Sequence, residues 1–110
     1  MNAEQTKSLA ETNNWSHVDR QKVHADWDVL YQELAPLIQD APPAAPQIQH
    51  VIARHYALVS RFYIPSKLAY IGMALFYQDD QGMRDFHNAY HPNMAGFLGQ
   101  AIPIYAQRHL

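Results

Sequence analysis

From Val23 onward the apolar positions recur at three- and four-residue steps: Val23, Trp27, Leu30, Tyr31, Leu34, Leu37 and Ile38. Arg20, Lys22, Asp26, Gln32 and Glu33 fill the positions between them. This spacing puts one stripe of side chains on one face of a helix. The pattern predicts a long amphipathic helix, opened by Ser16 and Asp19 as a capping box and ending near Asp40. Pro36 is expected to bend or shorten its last turns.

The run 41–46 (APPAAP) cannot continue a helix, and Pro46 suits the first turn of the next. A second helix is predicted over 47–63, with Ile48, Val51, Ile52, His55, Val59 and Phe62 as its stripe. Ile64, Pro65 and Ser66 form a corner, with Ser66 placed to cap a third helix that carries Leu68, Ile71, Leu75 and Phe76. Gly72 within it is costly unless something packs close. Asp79 and Asp80 are expected to start a short fourth helix with Met83, Phe86 and Tyr90. Pro92 should open a fifth, kinked at Pro103. No segment alternates with period two, so the expected fold is all-α, a compact bundle of about five helices. Residues 1–15 read as a flexible, polar N-terminal segment able to order over a ligand, and residues 16–110 as the helical domain.

Composition narrows the function. The chain has 110 residues and no cysteine, which removes disulfides, thiolate metal sites and a cysteine nucleophile. Met1–Asn14 lacks the apolar stretch of a signal peptide, and the run near Ile71–Tyr77 is too short to span a bilayer. A soluble, cytoplasmic protein is expected. The net charge is −2 with no basic stripe, which argues against nucleic acid as a partner. Charged residues make up 16% of the chain while seven Tyr, four Phe and two Trp supply flat apolar area with polar tips. Such residues suit a core and a drug-sized ligand alike.

Three fragments in order make the pattern more specific. The run Gln49 to Phe62 (QHVIARHYALVSRF) carries Arg-His followed by aromatics. Tyr70-Ile71-Gly72-Met73-Ala74-Leu75-Phe76-Tyr77 precedes Asp79-Asp80, and His91-Pro92-Asn93-Met94-Ala95-Gly96-Phe97-Leu98 leads to Ala101, Ile102 and Tyr105. Together these resemble the TipA-S antibiotic-recognition domain, in which a Tyr-x-Gly-Leu-x-x-x-Tyr-x-x-Asp pattern is followed by a Pro-Gly-Leu-Ala closing helix. The resemblance implies a globin-like helical domain with a cleft for thiopeptides or other large aromatic antibiotics. The family often sits behind a MerR-type DNA-binding module, and also occurs alone as a sequestering protein of the thiostrepton- or albicidin-binding kind. This chain shows no such module, and a stand-alone domain is expected. Without cysteine, covalent capture of a dehydroalanine-bearing thiopeptide is closed, so binding should be non-covalent. The sequence departs from the family's pattern after the paired aspartates. Gly82-Met83 stands where Arg-Phe is common, and His87 where Tyr is common.

The ligand-binding candidates are Trp27, Tyr31, His55, Phe62, Tyr63, Tyr70, Met73, Tyr77, His87 and Tyr90. Phe62, Phe76 and Phe97 are expected in the core rather than in a site, as aromatics at helical spacing usually are. Tyr70 and Tyr77 share a helix face, where their hydroxyls either line one groove or are buried with hydrogen-bond partners. For Arg54-His55 the alternatives are ligand contact, or a buried histidine bonded to a backbone carbonyl with Arg54 in water. His87 and His91 are spaced as metal ligands on a helix, but Pro92 pulls His91 out of it; His17 and His24 lack a shared carboxylate, and HExxH is absent. His55 would be the proximal ligand were the domain a haem binder. Ser16, Ser60 and Ser66 have no nucleophile elbow, and no glycine-rich phosphate loop exists. The expectation is a binder without catalytic residues, metal or cofactor, with a bulky aromatic or thiopeptide-like antibiotic as partner, no membrane, and a homodimer as an option. The alternative is a ligand-sensing interaction module that signals to a partner protein.

Overall fold

A computed structural model of the protein describes residues 19–110. The N-terminal segment, Ser16 and His17 lie outside the described residues. Five α-helices and one 3-10 turn follow one another: α1 (Arg20–Leu34), the turn (Ala35–Leu37), α2 (Pro46–Val59), α3 (Lys67–Asp79), α4 (Gln81–Asn88) and α5 (Met94–His109). No strand occurs among the described residues, so the all-α expectation holds. No helix of these is long and apolar enough to cross a membrane.

The helix ends follow local chemistry. Asp19 itself caps α1, accepting from the Lys22 N–H at 3.1 Å. The first helix tightens at Ala35–Leu37 because Pro36 has no N–H to give to the carbonyl one turn back. α2 stops at Val59, short of residue 63, and the chain leaves through turn bonds from Arg61 to Leu58 and from Phe62 to Val59. Ser66 caps α3 as expected. Asp79 is the last residue of α3, and Asp80 serves both helices: its N–H closes α3 on the Phe76 carbonyl, and its side chain caps α4 by accepting from the Met83 N–H at 2.9 Å. α5 begins at Met94 rather than Pro92, and the Asn88 side chain reaches from α4 to accept from the Ala95 N–H. Pro103 lies within α5, which continues to His109.

The core gathers residues of α1, α2, α3 and α5, among them Leu34, Ile52, Tyr70, Ala74, Leu98 and Ile102. α3 packs most extensively on α5. Gly99 lies at this contact, where an added Cβ would meet the amide end of the Gln78 side chain of α3, 1.8 Å from its Nε2 atom. Gly72 has no such reason: it is exposed, with nothing within 4 Å of where its Cβ would stand. The buried Gln49 ties the proline connector to the bundle, donating to the carbonyls of Pro43 and Ala101. α4 is the exception in this packing, since His87 is its one buried residue.

Candidate functional site

Because α4 is short and buries so little, it leaves a gap against α1. The result is an open cavity of about 300 Å³ lined by His24, Trp27, Asp28 and Tyr31 from α1, Tyr77 from α3, and Met83, Phe86, His87 and Tyr90 from α4 and the turn after it. A neighbouring hollow of about 210 Å³ is lined by Val59, Phe62, Tyr63, Met73 and Phe76. The two share Trp27, Tyr77 and Met83. The shared Met83 is an unbranched, polarizable side chain that can yield to a ligand crossing from one to the other.

The rings of the main cavity are held by a chain of buried hydrogen bonds whose direction can be worked out. His87 Nδ1 lies 2.7 Å from the Met83 carbonyl, which can only accept, so this nitrogen donates. Neutral His87 must then accept at Nε2, and the Tyr31 hydroxyl 2.8 Å away supplies the proton. The Tyr31 oxygen is left to accept from His55 Nε2 at 3.3 Å, and His55 Nδ1 accepts from the Tyr70 hydroxyl at 2.8 Å. Every step is satisfied with both imidazoles neutral. Burial enforces that state, lowering His55 to about 3, with His87 adding a smaller push, and lowering His87 itself. Burial likewise raises the phenols of Tyr31, Tyr70 and Tyr77 well above their ordinary range.

At the cavity's other side the Tyr90 hydroxyl donates to Asp28 Oδ1 at 2.7 Å, and Gln32 donates to Oδ2 at 2.8 Å. Burial, followed by this bond to Asp28, pushes Tyr90 up to about 12. The Tyr31 and Tyr90 rings meet at 5.2 Å, Phe86 stands edge-on to Tyr90 at 5.9 Å, and Tyr77 stacks on His87 at 4.2 Å. The Trp27 indole N–H lies beside the Tyr31 hydroxyl but makes no hydrogen bond of acceptable geometry.

Of the ten candidates, the main cavity brings together Trp27, Tyr31, Tyr77, His87 and Tyr90, and the neighbouring hollow takes Phe62, Tyr63 and Met73. His55 and Tyr70 line neither; both are fully buried behind the cavity. Tyr70 and Tyr77 therefore do not present their hydroxyls to one groove. Tyr70 packs between Tyr56, Tyr105 and His55 because α5 covers that face of α3. His55 is buried, but its partners are two tyrosines; the histidine that bonds a backbone carbonyl is His87. Arg54 is exposed and pairs with Glu33. Both nitrogens of His55 are engaged, which leaves none for haem iron. His87 is similarly committed, and His91 Nδ1 accepts from the Asn93 N–H. No cluster of three metal-ligating groups occurs among the described residues. Phe97 is buried as expected of a core residue, whereas Phe76 is 52% exposed and borders the second hollow.

Sequence reasoning missed His24, Asp28 and Phe86 as cavity residues. His24 sits one turn before Trp27 and Asp28 one turn before Tyr31, so the signal was helical spacing from the aromatic pair. Met83 and His87, two of the three positions where the sequence departs from the family's pattern, both stand in the cavity wall.

A family model described as the TipAS antibiotic-recognition domain matches residues 2–105. No curated protein and no solved structure gives a match. The three motifs occupy α2, α3 with its Asp80 cap, and the entry to α5, the elements that build the core and one wall of the cavity. With nearly the whole length accounted for by one model, the chain belongs to the family of TipAS antibiotic-recognition domains.

Proposed function

We propose that the domain binds a large aromatic or peptide-like antibiotic non-covalently and protects by stoichiometric sequestration, without turnover. The observation that carries this reading is the α1–α4 cavity, where Tyr31 and Tyr90 are held in place by their own hydrogen bonds before any ligand arrives. Preorganised rings lose little freedom on binding, so more of the contact energy appears as affinity. The cavity's volume lies at the lower end of small-molecule sites. It suits one ring system of a large ligand, with the second hollow taking the next. Burying about 150 Å² of apolar ligand surface would contribute roughly 4 kcal/mol at 25 cal/mol per Å². Resistance or tolerance in the cytoplasm follows if the ligand is a drug.

A Trp15→Phe variant leaves Trp27 as the reporter. Its fluorescence is titrated with thiopeptides, albicidin-like compounds and haemin. Saturable quenching by one antibiotic class at low micromolar or better, about −8 kcal/mol, with loss of affinity in Phe86→Ala, is the expected result. A flat response to all of them would defeat the reading.

A second reading is supported by a separate observation. Leu68, Leu75 and Phe76 on α3, with Ile64 before it, are large apolar residues left exposed. A sensing module that docks a partner or a second copy would use such a face. Sedimentation with and without ligand separates the two: a monomer in both states favours sequestration, and ligand-dependent association favours sensing.

A further inference from the structure

We infer that the α1–α4 cavity selects a ligand group carrying positive charge, an ammonium attached to or beside an aromatic ring, over its neutral and anionic counterparts. The inference rests on the proposal that this cavity is the ligand site.

Three observations carry it. Among the described residues that line the cavity, Asp28 is the one carboxylate, and no lysine or arginine accompanies it. His87 adds no positive charge, because its Nδ1 proton goes to the Met83 carbonyl and its Nε2 accepts from Tyr31. The remaining titratable group beside the tyrosines is His24. The wall is therefore net negative when His24 is neutral. Second, the Tyr31 and Tyr90 hydroxyl protons are committed elsewhere, and the Trp27 indole N–H, which makes no hydrogen bond, is buried beside the Tyr31 hydroxyl. The Tyr31 hydroxyl donates to His87 and the Tyr90 hydroxyl donates to Asp28. An anionic group entering here would meet ring faces and oxygen lone pairs. Third, ring faces attract cations, and here the Tyr31, Tyr90 and Phe86 rings meet at steep angles around one corner, with Asp28 bonded to one of them. Each Asp28 oxygen accepts one protein hydrogen bond, which leaves a further lone pair on each for an ammonium N–H. The bond from Tyr90 to Asp28 also joins the turn after α4 to α1, but that structural role does not neutralise the carboxylate.

The test uses three probes of one shape at pH ~7.5: 1-naphthylmethylammonium, 1-naphthalenemethanol and 1-naphthoate. Each is titrated into the full chain by calorimetry, with the Trp27 indole N–H resonance followed by NMR to place the binding. The ammonium is expected to bind about tenfold or more tightly than the alcohol, in line with a desolvated cation–ring contact beside a carboxylate, and the naphthoate weakest. Asp28→Asn should erase the difference between ammonium and alcohol. Equal binding, a preference for naphthoate, or a preference that survives Asp28→Asn would overturn the inference. Should Asp28→Asn lose helicity by circular dichroism, a salt series on the unaltered chain decides instead. The advantage of the ammonium should shrink as salt screens the carboxylate, and a constant ratio would overturn the inference. If all three probes bind alike and shift Trp27, the ligand site stands and only its charge preference falls. If none binds there, the site falls too.

Discussion

Two regions of this molecule are built from the same kinds of side chain and reach opposite outcomes. Around Tyr70, the rings of Tyr56, Tyr105 and His55 stand 5.0 to 6.2 Å away and Tyr70 is fully buried. Around Tyr31, the rings of Trp27, Tyr90, Phe86 and His87 leave a cavity of about 300 Å³. Aromatic content does not separate them. What does is the element opposite: α5 is 16 residues long and packs along α3, whereas α4 has eight residues and buries one. A short helix cannot cover the face of a long one, so the rings it does reach are left with an open side. The two regions are nonetheless joined, because His55 and Tyr31 hand one hydrogen bond across from the filled side to the open one.

The largest expected effect tests that contrast directly. Tyr70→Ala should cost about 3–5 kcal/mol by leaving a void in a fully packed site, while Phe86→Ala, 53% exposed at the cavity rim, should cost less than about 1 kcal/mol. Urea midpoints for the two variants measure this, and similar losses would mean that the open side is core after all.

A smaller effect comes from the link between the regions. Burial lowers folded His55 to about 3, whereas in the unfolded chain the imidazole keeps its ordinary value of 6.5. Between these values the unfolded state holds more protons, so stability rises with pH and is lost as pH falls below about 6.5, by about 1.4 kcal/mol per pH unit. His87, also lowered, acts in the same direction. His55→Gln should flatten the slope of stability between pH ~6.5 and ~5 relative to the unaltered chain. An unchanged slope would show that His55 is not the group being held neutral.

The smallest effect compares two glycines. Gly72→Ala, on the open face of α3, should stabilise the domain by about 0.5–1 kcal/mol through helix propensity alone. Gly99→Ala should gain less or nothing, because Gln78 must swing away from the new methyl group. Thermal melts of the pair would reverse this picture if Gly99→Ala proved the more stabilising.

Helix identity was legible because it depends on local chemistry. Apolar spacing, Ser66 as a cap, and Pro36 and Pro46 as punctuation act within a few residues of where they stand. Much of the cavity's aromatic lining was legible for a related reason: Trp27 and Tyr31 share a face, and Tyr90 and His87 stand together after the fourth helix's start. Asp28 was not, since a lone carboxylate on an amphipathic helix looks like any solvated residue until Tyr90, 62 positions later, donates to it. The same holds for His55. Its burial could be weighed from the stripe of α2, but its partners at positions 31 and 70 come from two other helices. Sequence by itself therefore determined the order of the helices, local stops such as the Ser66 cap, and the supply of aromatic rings, since those follow from spacing along the chain. Which rings became core and which became cavity wall was decided only by tertiary packing, because that depends on how much of each face the opposing helix is long enough to cover.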